Sequence, residues 1–125
     1  MKPGVLTCEA CGPYSALVAP YLLRVRDVTG LEIRLTRECW EGHIVVRHPI
    51  MQRYFDQVYQ VLTSPDVVHR SPTPRESRFY YRRLARRQSW VLVIADIKPS
   101  GHVGYVKTAM VVDRIRSREV LWQRP

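Results

Sequence analysis

Two histidines placed five residues apart form the part of the sequence best suited to acid–base chemistry. His43 and His48 lie on either side of Arg47, at the end of one predicted helix and the start of the next. Imidazole titrates near neutral pH, so one ring of a pair can accept a proton while the other donates one. The pair is therefore a candidate general base and general acid. A capping or surface role for either histidine is the alternative.

Arginines are concentrated between residues 70 and 87, where Glu76 is the one opposing carboxylate. Phe79, Tyr80 and Tyr81 lie inside the same segment. Guanidinium groups bind phosphate through two hydrogen bonds, and exposed rings stack on unpaired bases, so we predict that this segment contacts nucleic acid. A solvated loop whose rings enter the core is the alternative. The arginines are Arg70, Arg75, Arg78, Arg82, Arg83, Arg86 and Arg87.

Strand alternation divides the side chains of this segment between two faces. Phe79 and Tyr81 are predicted to point one way, and Arg78, Tyr80 and Arg82 the other way. If the first two rings belong to the core, the second set forms an open face on which a phosphate can rest.

Lys107 and Thr108 are adjacent polar residues within the apolar run 103–112, so their side chains must face opposite sides of a strand. One of the two therefore faces the core or a cleft, where a hydroxyl or ammonium group can bind phosphate oxygens. Threonine is also a good strand former, which is the structural alternative.

The cysteines provide only half of a recognisable metal site. Cys8 and Cys11 have the spacing of one half of a structural zinc site, and Cys39 with a distant histidine would have to complete it. We therefore predict no metal and no cofactor, and keep a zinc-stapled interaction module as a third hypothesis. The sequence contains no phosphate-cradling glycine loop and no Gly-x-Ser-x-Gly motif, which argues against nucleotide hydrolysis and esterase chemistry.

The composition is that of one basic globular domain. Among 125 residues, 46% are hydrophobic, and 20 lysines and arginines oppose 11 carboxylates, which leaves a formal charge of +9. This length predicts a single domain over residues 1–125, of which 1–18 form an N-terminal extension of uncertain structure. The positive charge attracts nucleic acid, anionic membranes or acidic proteins alike, and nucleic acid is the most common of these partners.

No part of the sequence favours membrane insertion or secretion. The longest mostly apolar run, residues 14–23, is interrupted by Pro20 and has about half of the roughly 20 residues that a membrane span needs. Residues 1–19 match a secretory signal only weakly, and three cysteines do not suit a disulfide-stapled secreted domain. We therefore predict a cytoplasmic protein that does not bind membranes.

The hydrophobic pattern predicts an α+β fold, in which an N-terminal hairpin and two helices pack on an antiparallel sheet of about four to five strands. Residues 21–28 and 31–35 alternate on either side of Thr29-Gly30, which predicts the hairpin. Thr36 is placed to cap a first short helix, and Pro49 to begin a second one that ends before Ser64. The strands predicted after the helices are 66–70, 77–82, 90–97, 103–112 and 119–122.

An ordered series of short motifs runs along the chain. It comprises Leu35-Thr36, Trp40, His43-Ile44, Arg47-His48-Pro49, Tyr80-Tyr81-Arg82, the apolar strand 90–95 and Val106-Lys-Thr-Ala109. In this order the series resembles the small nuclease domains of the barnase, EndoU, colicin and RelE group, in particular a bacterial and phage branch of PBECR-like domains. The resemblance covers roughly Gly30 to Trp122.

This resemblance implies a metal-independent RNA endonuclease, such as a toxin or a phage-derived nuclease, in which the ribose 2′-hydroxyl attacks the neighbouring phosphate. In that chemistry a base removes the 2′ proton, an acid protonates the 5′ oxygen, and cationic groups stabilise the phosphorane charge. The implied acid and base are His43 and His48, the charge-stabilising groups are Arg47 and Arg82, and the positioning groups are Tyr80 and Thr108. The residues predicted to bind the RNA chain are Arg70, Arg75, Arg78, Arg83, Arg86, Arg87 and Lys107.

Two positions depart from the family pattern, because Ile50 stands where the family has Glu and Met110 stands where it has Tyr. Either change removes a polar group from the implied site. The alternative function is therefore a catalytically inactive module of the same fold that binds nucleic acid or a protein through its basic surface. The expected partners are RNA and an acidic antitoxin or immunity protein, since opposite charges favour such a complex.

Overall fold

A mixed sheet with helices on one face makes up the computed structural model, which describes residues 20–71, 76–85 and 88–125. The order of the strands across the sheet is β1-β2-β6-β5-β4-β3-β7, with β2 and β6 parallel and the other described pairs antiparallel. The extension predicted for residues 1–18 lies outside the described residues. The strands are β1 (Tyr21–Arg26), β2 (Glu32–Thr36), β3 (Val67–Ser71), β4 (Ser77–Arg83), β5 (Trp90–Ile97), β6 (Val103–Val112) and β7 (Glu119–Gln123).

Two helical segments connect β2 to β3. The hydroxyl of Thr36 accepts a hydrogen bond from the backbone N–H of Cys39 at 3.0 Å, as predicted for the cap of the first segment. The second segment begins at Pro49 and ends before Ser64, again as predicted. The first segment comprises α1 (Arg37–Cys39), a π-helical turn (Trp40–Ile44) and α2 (Val45–Arg47), and the second comprises a 3₁₀ turn (Pro49–Tyr54) and α3 (Phe55–Thr63).

The main hydrophobic core lies between these helical segments and one face of the sheet. From the helices, Met51, Val58 and Leu62 are fully buried, which matches the spacing of the amphipathic pattern. Along each strand, residues of this core alternate with residues whose side chains lie on the opposite face, and the alternation shifts by one residue at the irregularity of β6. The fully buried strand residues of this core include Ile33, Leu35, Val68, Tyr80, Val93, Ala95 and Ala109.

The predicted α+β fold is confirmed, but the sheet is larger and more mixed than expected. A hairpin does form from β1 and β2, with Gly30 at a φ of +91° in its turn. It does not stand apart from the sheet, because β2 pairs with β6 in parallel and adds two strands to the edge. The prediction of an antiparallel sheet of four to five strands is therefore wrong. This pairing satisfies the backbone groups of β2 and buries Ile33 and Leu35 under the helices.

The face of the sheet opposite the helices is called the open face below. It carries a second apolar cluster, to which the described helices contribute no residue. Within residues 20–71, 76–85 and 88–125, no helix has the length and apolar character needed to cross a membrane. The members of this cluster are Val67, Phe79, Tyr81, Trp90, Leu92, Ile94, Met110, Val112 and Ile115.

Candidate nucleic-acid interface

A shallow groove on the open face has an apolar floor supplied by three neighbouring strands. The register places Phe79 of β4 opposite Ile94 of β5, and Leu92 of β5 opposite Met110 of β6. Cross-strand neighbours on one face lie about 5 Å apart, so these side chains form a continuous surface. The groove has a volume of about 310 Å³, at the lower end of the range of roughly 300 to 1,000 Å³ for small-ligand sites. It is therefore large enough for a planar group such as a nucleobase.

The rim of this groove consists of three arginines from the connection between β6 and β7. Ile115 packs in the apolar cluster and thereby fixes this connection against the sheet. Arg114, Arg116 and Arg118 line the groove, and the guanidinium carbon of Arg118 lies 4.0 Å from the centroid of the Phe79 ring. A cation at this distance from a ring face is held by the negative charge of the π system. The structure therefore places a planar cation directly on the aromatic floor.

The charge of this rim is not neutralised within the described part of the chain. Among residues 20–71, 76–85 and 88–125, no carboxylate lies within ion-pair distance of Arg114, Arg116 or Arg118. Asp113 also lines the groove, so three positive side chains face one negative one. The potential of the groove is consequently positive, and it attracts anions.

A histidine lies beneath this rim. His69 on β3 is only 5% exposed, and its ring meets the ring of Tyr81 edge-on at 5.6 Å between centroids. Burial and the positive charge of Arg118 lower the pKa of the His69 imidazole, so the ring is neutral at neutral pH. Its Nδ1 atom has no hydrogen-bond partner in the described residues. His69 thus places a buried, uncharged imidazole beside Tyr81, one of the residues that line the groove.

A second polar site on the open face, formed by β1, β2, β6 and the residue that follows β5, is called the tyrosine–arginine cluster. Its members are Tyr21, Arg34, Lys98 and Tyr105. The guanidinium carbon of Arg34 lies 5.4 Å from the ring centroid of Tyr21 and 5.7 Å from that of Tyr105. Arg34 also donates a hydrogen bond from Nη1 to the hydroxyl of Tyr105 at 2.9 Å. The ammonium of Lys98 lies 5.2 Å from the same tyrosine ring.

The phenol of Tyr105 is made more acidic by these neighbours. A hydrogen bond from Tyr21, together with the hydrogen bond and charge of Arg34 and the charge of Lys98, lowers its pKa, although burial acts in the opposite direction. Arg34 is held in place by Glu32, with 2.6 Å between its Nε and the carboxylate. The cluster can therefore stabilise a phenolate on an accessible face of the sheet.

The described residues contain no cluster suited to a metal ion. Within them, three or more His, Cys, Asp or Glu side chains nowhere come together as a possible ligand set. Cys8 and Cys11, the proposed half of a zinc site, lie outside the described residues. Cys39 packs beside β6, where its thiol lies 3.2 Å from the carbonyl oxygen of Val106, and burial raises the pKa of this thiol.

The residues implied as acid, base and charge stabiliser lie in the helical layer. His43 is half-buried in the π-helical turn, and His48 is half-buried between α2 and the 3₁₀ turn. Arg47, at the end of α2, is exposed. The helices cover one face of the sheet and the groove lies on the other, so the sheet separates these three residues from the arginine rim.

The other three implied catalytic residues do not share one surface. Tyr80 is fully buried in the main core and donates a hydrogen bond to Oδ2 of Asp27 at 2.6 Å, and burial raises the pKa of this phenol. Arg82 donates a hydrogen bond to the carbonyl oxygen of Ser64. Thr108 pairs with Ile94 and therefore lies on the open face. The sheet consequently places Tyr80 and Thr108 on opposite sides.

The strand alternation predicted around residue 80 is correct, but the faces are reversed. Phe79 and Tyr81 belong to the open face, whereas Tyr80 belongs to the main core. The prediction of an open phosphate-binding face formed by Arg78, Tyr80 and Arg82 required Phe79 and Tyr81 to belong to the main core. They do not belong to it, so this face is not formed. Tyr80 cannot be reached by a substrate in this arrangement.

Several arginines predicted to bind nucleic acid make contacts within the protein. Arg70 lies 3.5 Å from the carboxylate of Glu119, and Arg78 lies 3.1 Å from that of Asp27. The guanidinium carbon of Arg83 lies 5.8 Å from the centroid of the Trp90 ring. The exposed Lys107 lies at an irregularity of β6, where the register with β5 shifts. The predicted residues that lie outside the described ranges are Arg75, Arg86 and Arg87.

A short run of alternating arginines after β6 is the sequence signal for the groove, and it is less conspicuous than the arginine-rich segment 70–87. Arg114, Arg116 and Arg118 alternate with small or apolar residues directly after a strongly apolar strand, which is the pattern expected of a cationic strip beside a sheet. His69 and Tyr105 carry no comparable local pattern, because their environments come from distant residues.

Comparisons of this chain with protein-family models, curated proteins and solved structures found no match. The class of ligand is therefore inferred from the side chains of the open face. The groove can hold a planar apolar group on its floor and anionic groups at its rim, while the tyrosine–arginine cluster offers hydrogen bonds and an acidic phenol.

Proposed function

We propose that this chain binds single-stranded RNA across the open face of its sheet. An unpaired base rests on the apolar floor of the groove, and the neighbouring phosphates bind the rim arginines Arg114, Arg116 and Arg118. The observation that carries the proposal is the placement of Arg118 on the ring of Phe79, 4.0 Å from its centroid. A guanidinium held flat on an aromatic ring offers its own plane for a base to stack on and its N–H groups for a phosphate, and these are the two interactions that single strands require.

A single strand fits this surface better than a duplex does. The floor is reached only by a group that can leave a stack, and the bases of a duplex remain stacked inside the helix. The choice of RNA over DNA rests on the resemblance of the sequence to ribonuclease domains. The net charge of +9 supports binding to either polyanion.

The test is a titration of a fluorescently labelled single-stranded RNA, followed by anisotropy over a range of salt concentrations. Arg116→Ala and Arg118→Ala should each weaken binding and reduce the magnitude of the slope of log K against log salt by about 0.7, the value for one lost phosphate contact on a single strand. The matched control is Arg53→Ala, an exposed arginine in the helical layer, which should bind like the wild type.

Two results would contradict the proposal. The first is equal RNA affinity for the wild type and both rim variants, because the groove would then not be the binding surface. The second is an RNA duplex that binds as tightly as the single strand at the same salt concentration, because stacking on the floor would then contribute nothing.

Metal-independent RNA cleavage is the second candidate function. The resemblance to nuclease domains favours it, and so does the accessible phenol of Tyr105, which shares the open face with the groove. On the resemblance alone, His43 and His48 are the acid and base. Incubation of labelled RNA with the protein in excess EDTA tests this function, and RNA that stays intact at high protein concentration would refute it. Cleavage that disappears in His48→Ala would assign it to the histidines.

A further inference from the structure

The tyrosine–arginine cluster provides a chemical group that the RNA-binding groove lacks. We infer that Tyr105 is the general base of an RNA-cleaving site on the open face, with Arg34 as its positioning residue and with a ribose 2′-hydroxyl as the group that it deprotonates. This inference rests on the proposed binding of single-stranded RNA to the same face.

The geometry around Tyr105 is that of a phenol held ready to lose its proton. Its hydroxyl oxygen accepts a hydrogen bond from Arg34 at 2.9 Å, and the ammonium of Lys98 lies 5.2 Å from its ring centroid. The ring of Tyr21 packs beside it at 6.5 Å between centroids. The hydrogen bonds and positive charges favour the phenolate, so a larger fraction of Tyr105 is ionised at a given pH than of a tyrosine without these neighbours. Among the described tyrosines, Tyr105 is therefore the best placed for proton transfer.

The surroundings of Tyr105 leave room for a phosphodiester. A cavity of about 540 Å³ is lined by Tyr105 together with Lys98 and Lys107, both of which are exposed. Two ammonium groups at the wall of one cavity can hold a phosphate and stabilise the extra negative charge of a phosphorane. Asp96, the cross-strand neighbour of Tyr105, also lines this cavity and accepts a hydrogen bond from Ser77 at 2.7 Å, so two ammonium groups there oppose one carboxylate.

The groove and the cavity lie along the same strand, so one RNA chain can reach both. Tyr105 and the groove residue Met110 pair with Asp96 and Leu92 of β5, which are four positions apart because β6 carries one extra residue between the two sites. Four positions at about 3.4 Å per residue correspond to about 14 Å. A stacked strand rises about 3.4 Å per nucleotide, so about four nucleotides connect the two sites. The groove would thus anchor the chain while the cleaved bond lies at the cluster.

The proposed step balances without any further reactant. The phenolate of Tyr105 takes the proton of the 2′-hydroxyl, the 2′ oxygen forms a bond to phosphorus, and the bond between phosphorus and the 5′ oxygen breaks. Water protonates the departing 5′ oxygen, and Tyr105 then returns its proton to the solvent. The products are a 2′,3′-cyclic phosphate and a 5′-hydroxyl, so no oxidation or reduction takes place.

The test compares RNA cleavage in EDTA by the wild type, Tyr105→Phe and Tyr59→Phe. Tyr59 is an exposed tyrosine on α3 and serves as the matched control, which should cleave like the wild type. Loss of a general base lowers a rate by about 100-fold to 10,000-fold, so Tyr105→Phe should cleave at least about 100-fold more slowly. Its affinity for an RNA with 2′-O-methyl groups, which cannot be cleaved by this step, should stay unchanged.

A pH profile separates proton transfer from a structural role. The cleavage rate of the wild type should rise with pH up to the lowered pKa of Tyr105. In Arg34→Met this rise should move to higher pH, since the phenolate then loses a hydrogen bond and a neighbouring charge. A variant that merely distorts the fold would lower the rate at every pH and would also lower the melting temperature.

The outcomes distinguish this inference from the proposed function. A wild type that binds RNA through the rim arginines but never cleaves it would overturn the inference and leave the binding function intact. A wild type that neither binds nor cleaves would overturn both. Cleavage that persists in Tyr105→Phe and is lost in His48→Ala would overturn the role of Tyr105 and assign the chemistry to the helical layer.

Discussion

Replacing Asp27 with alanine should remove a large part of the stability of this fold. The Asp27 side chain is completely buried at the turn between β1 and β2, and its carboxylate accepts five hydrogen bonds. Three come from the turn itself, from the backbone N–H and hydroxyl of Thr29 and the N–H of Leu31. The other two come from Arg78 and Tyr80 on β4, so this carboxylate ties the hairpin to the middle of the sheet.

The expected magnitude follows from what each donor loses. The turn donors lie near the surface and can bond to water instead, so their loss costs little. Arg78 and Tyr80 are different. Arg78 would lose its closest carboxylate and retain the Thr29 hydroxyl at 2.8 Å and Glu76 at 3.6 Å, and the Tyr80 hydroxyl would be buried without a partner. Removing one partner of a buried ion pair costs about 3 to 5 kcal/mol. Against a total of about 5 to 15 kcal/mol for an ordinary domain, Asp27→Ala should therefore leave the protein marginally folded.

Urea unfolding followed by tryptophan fluorescence and by far-ultraviolet circular dichroism measures this loss. Tyr80→Phe removes one of the five hydrogen bonds and should cost about 1.5 kcal/mol. The double variant should cost less than the sum of the two, because both changes break the same contact. Asp113→Ala, at an exposed carboxylate, should stay within about 0.5 kcal/mol of the wild type. A loss of less than about 1 kcal/mol for Asp27→Ala would show that the buried carboxylate does not hold the hairpin to the sheet.

Two further predictions concern the pH dependence of folding and the packing of the covered face. Because the pKa of His69 is lowered in the folded protein, the unfolded chain binds more protons than the folded one below about pH 6.5. The free energy of unfolding should therefore fall as the pH drops through this range. His69→Phe should make this fall smaller. A fall of the same size in the variant would contradict the assignment to this residue. Gly104→Ala places a methyl group 2.7 Å from Cδ1 of Ile97 and 3.0 Å from Cδ1 of Ile33, and should cost about 1 kcal/mol. Gly42→Ala is the control, since nothing lies within 4 Å of its added methyl group, and thermal unfolding of the two variants should therefore give shifts of opposite sign.

The elements of this fold were largely predictable because their patterns are local. Met51, Val58 and Leu62 recur at helical spacing, and Pro49 and Pro65 mark where that helix begins and must have ended. The strands after the helices lie within one or two residues of their predicted bounds. Periodicity and proline chemistry act within a few residues, so a single sequence displays them fully.

The pairing of β2 with β6 was not predictable from the same patterns. Alternation shows that Ile33 and Leu35 need burial, but it does not show which strand will lie beside them. The choice depends on how two helical segments return the chain to the sheet. The lack of a side chain at Gly104 of β6 matters only in this pairing, where Ile33 and Ile97 fill the space above it. The sequence predicts each of the seven described strands, but it does not predict that the hairpin joins the sheet, so it underestimates the size of the sheet.

The candidate site was predicted less well than the fold, for a related reason. Alternation assigned Phe79 and Tyr81 to one face and Tyr80 to the other, but only the position of the helices decides which face is covered. Because the helices cover the face of Tyr80, the open face carries Phe79 and receives the arginines of residues 113–118. A local pattern thus identified the two surfaces but could not distinguish the buried one from the accessible one.

The number of arginines in a segment does not show which of them can bind a ligand, because an arginine that already faces a carboxylate or a carbonyl oxygen is less available. Within the described part of the arginine-rich segment, Arg70 and Arg78 face carboxylates, and Arg82 donates to the carbonyl oxygen of Ser64. Arginines whose charge faces a carboxylate within the protein contribute less to the attraction of a polyanion. The shorter run from Arg114 to Arg118 faces no carboxylate at ion-pair distance among the described residues, and it lies over an apolar floor. Phosphate binding should therefore depend more on this run than on Arg70, Arg78 and Arg82, the described arginines of the longer run that have partners within the protein.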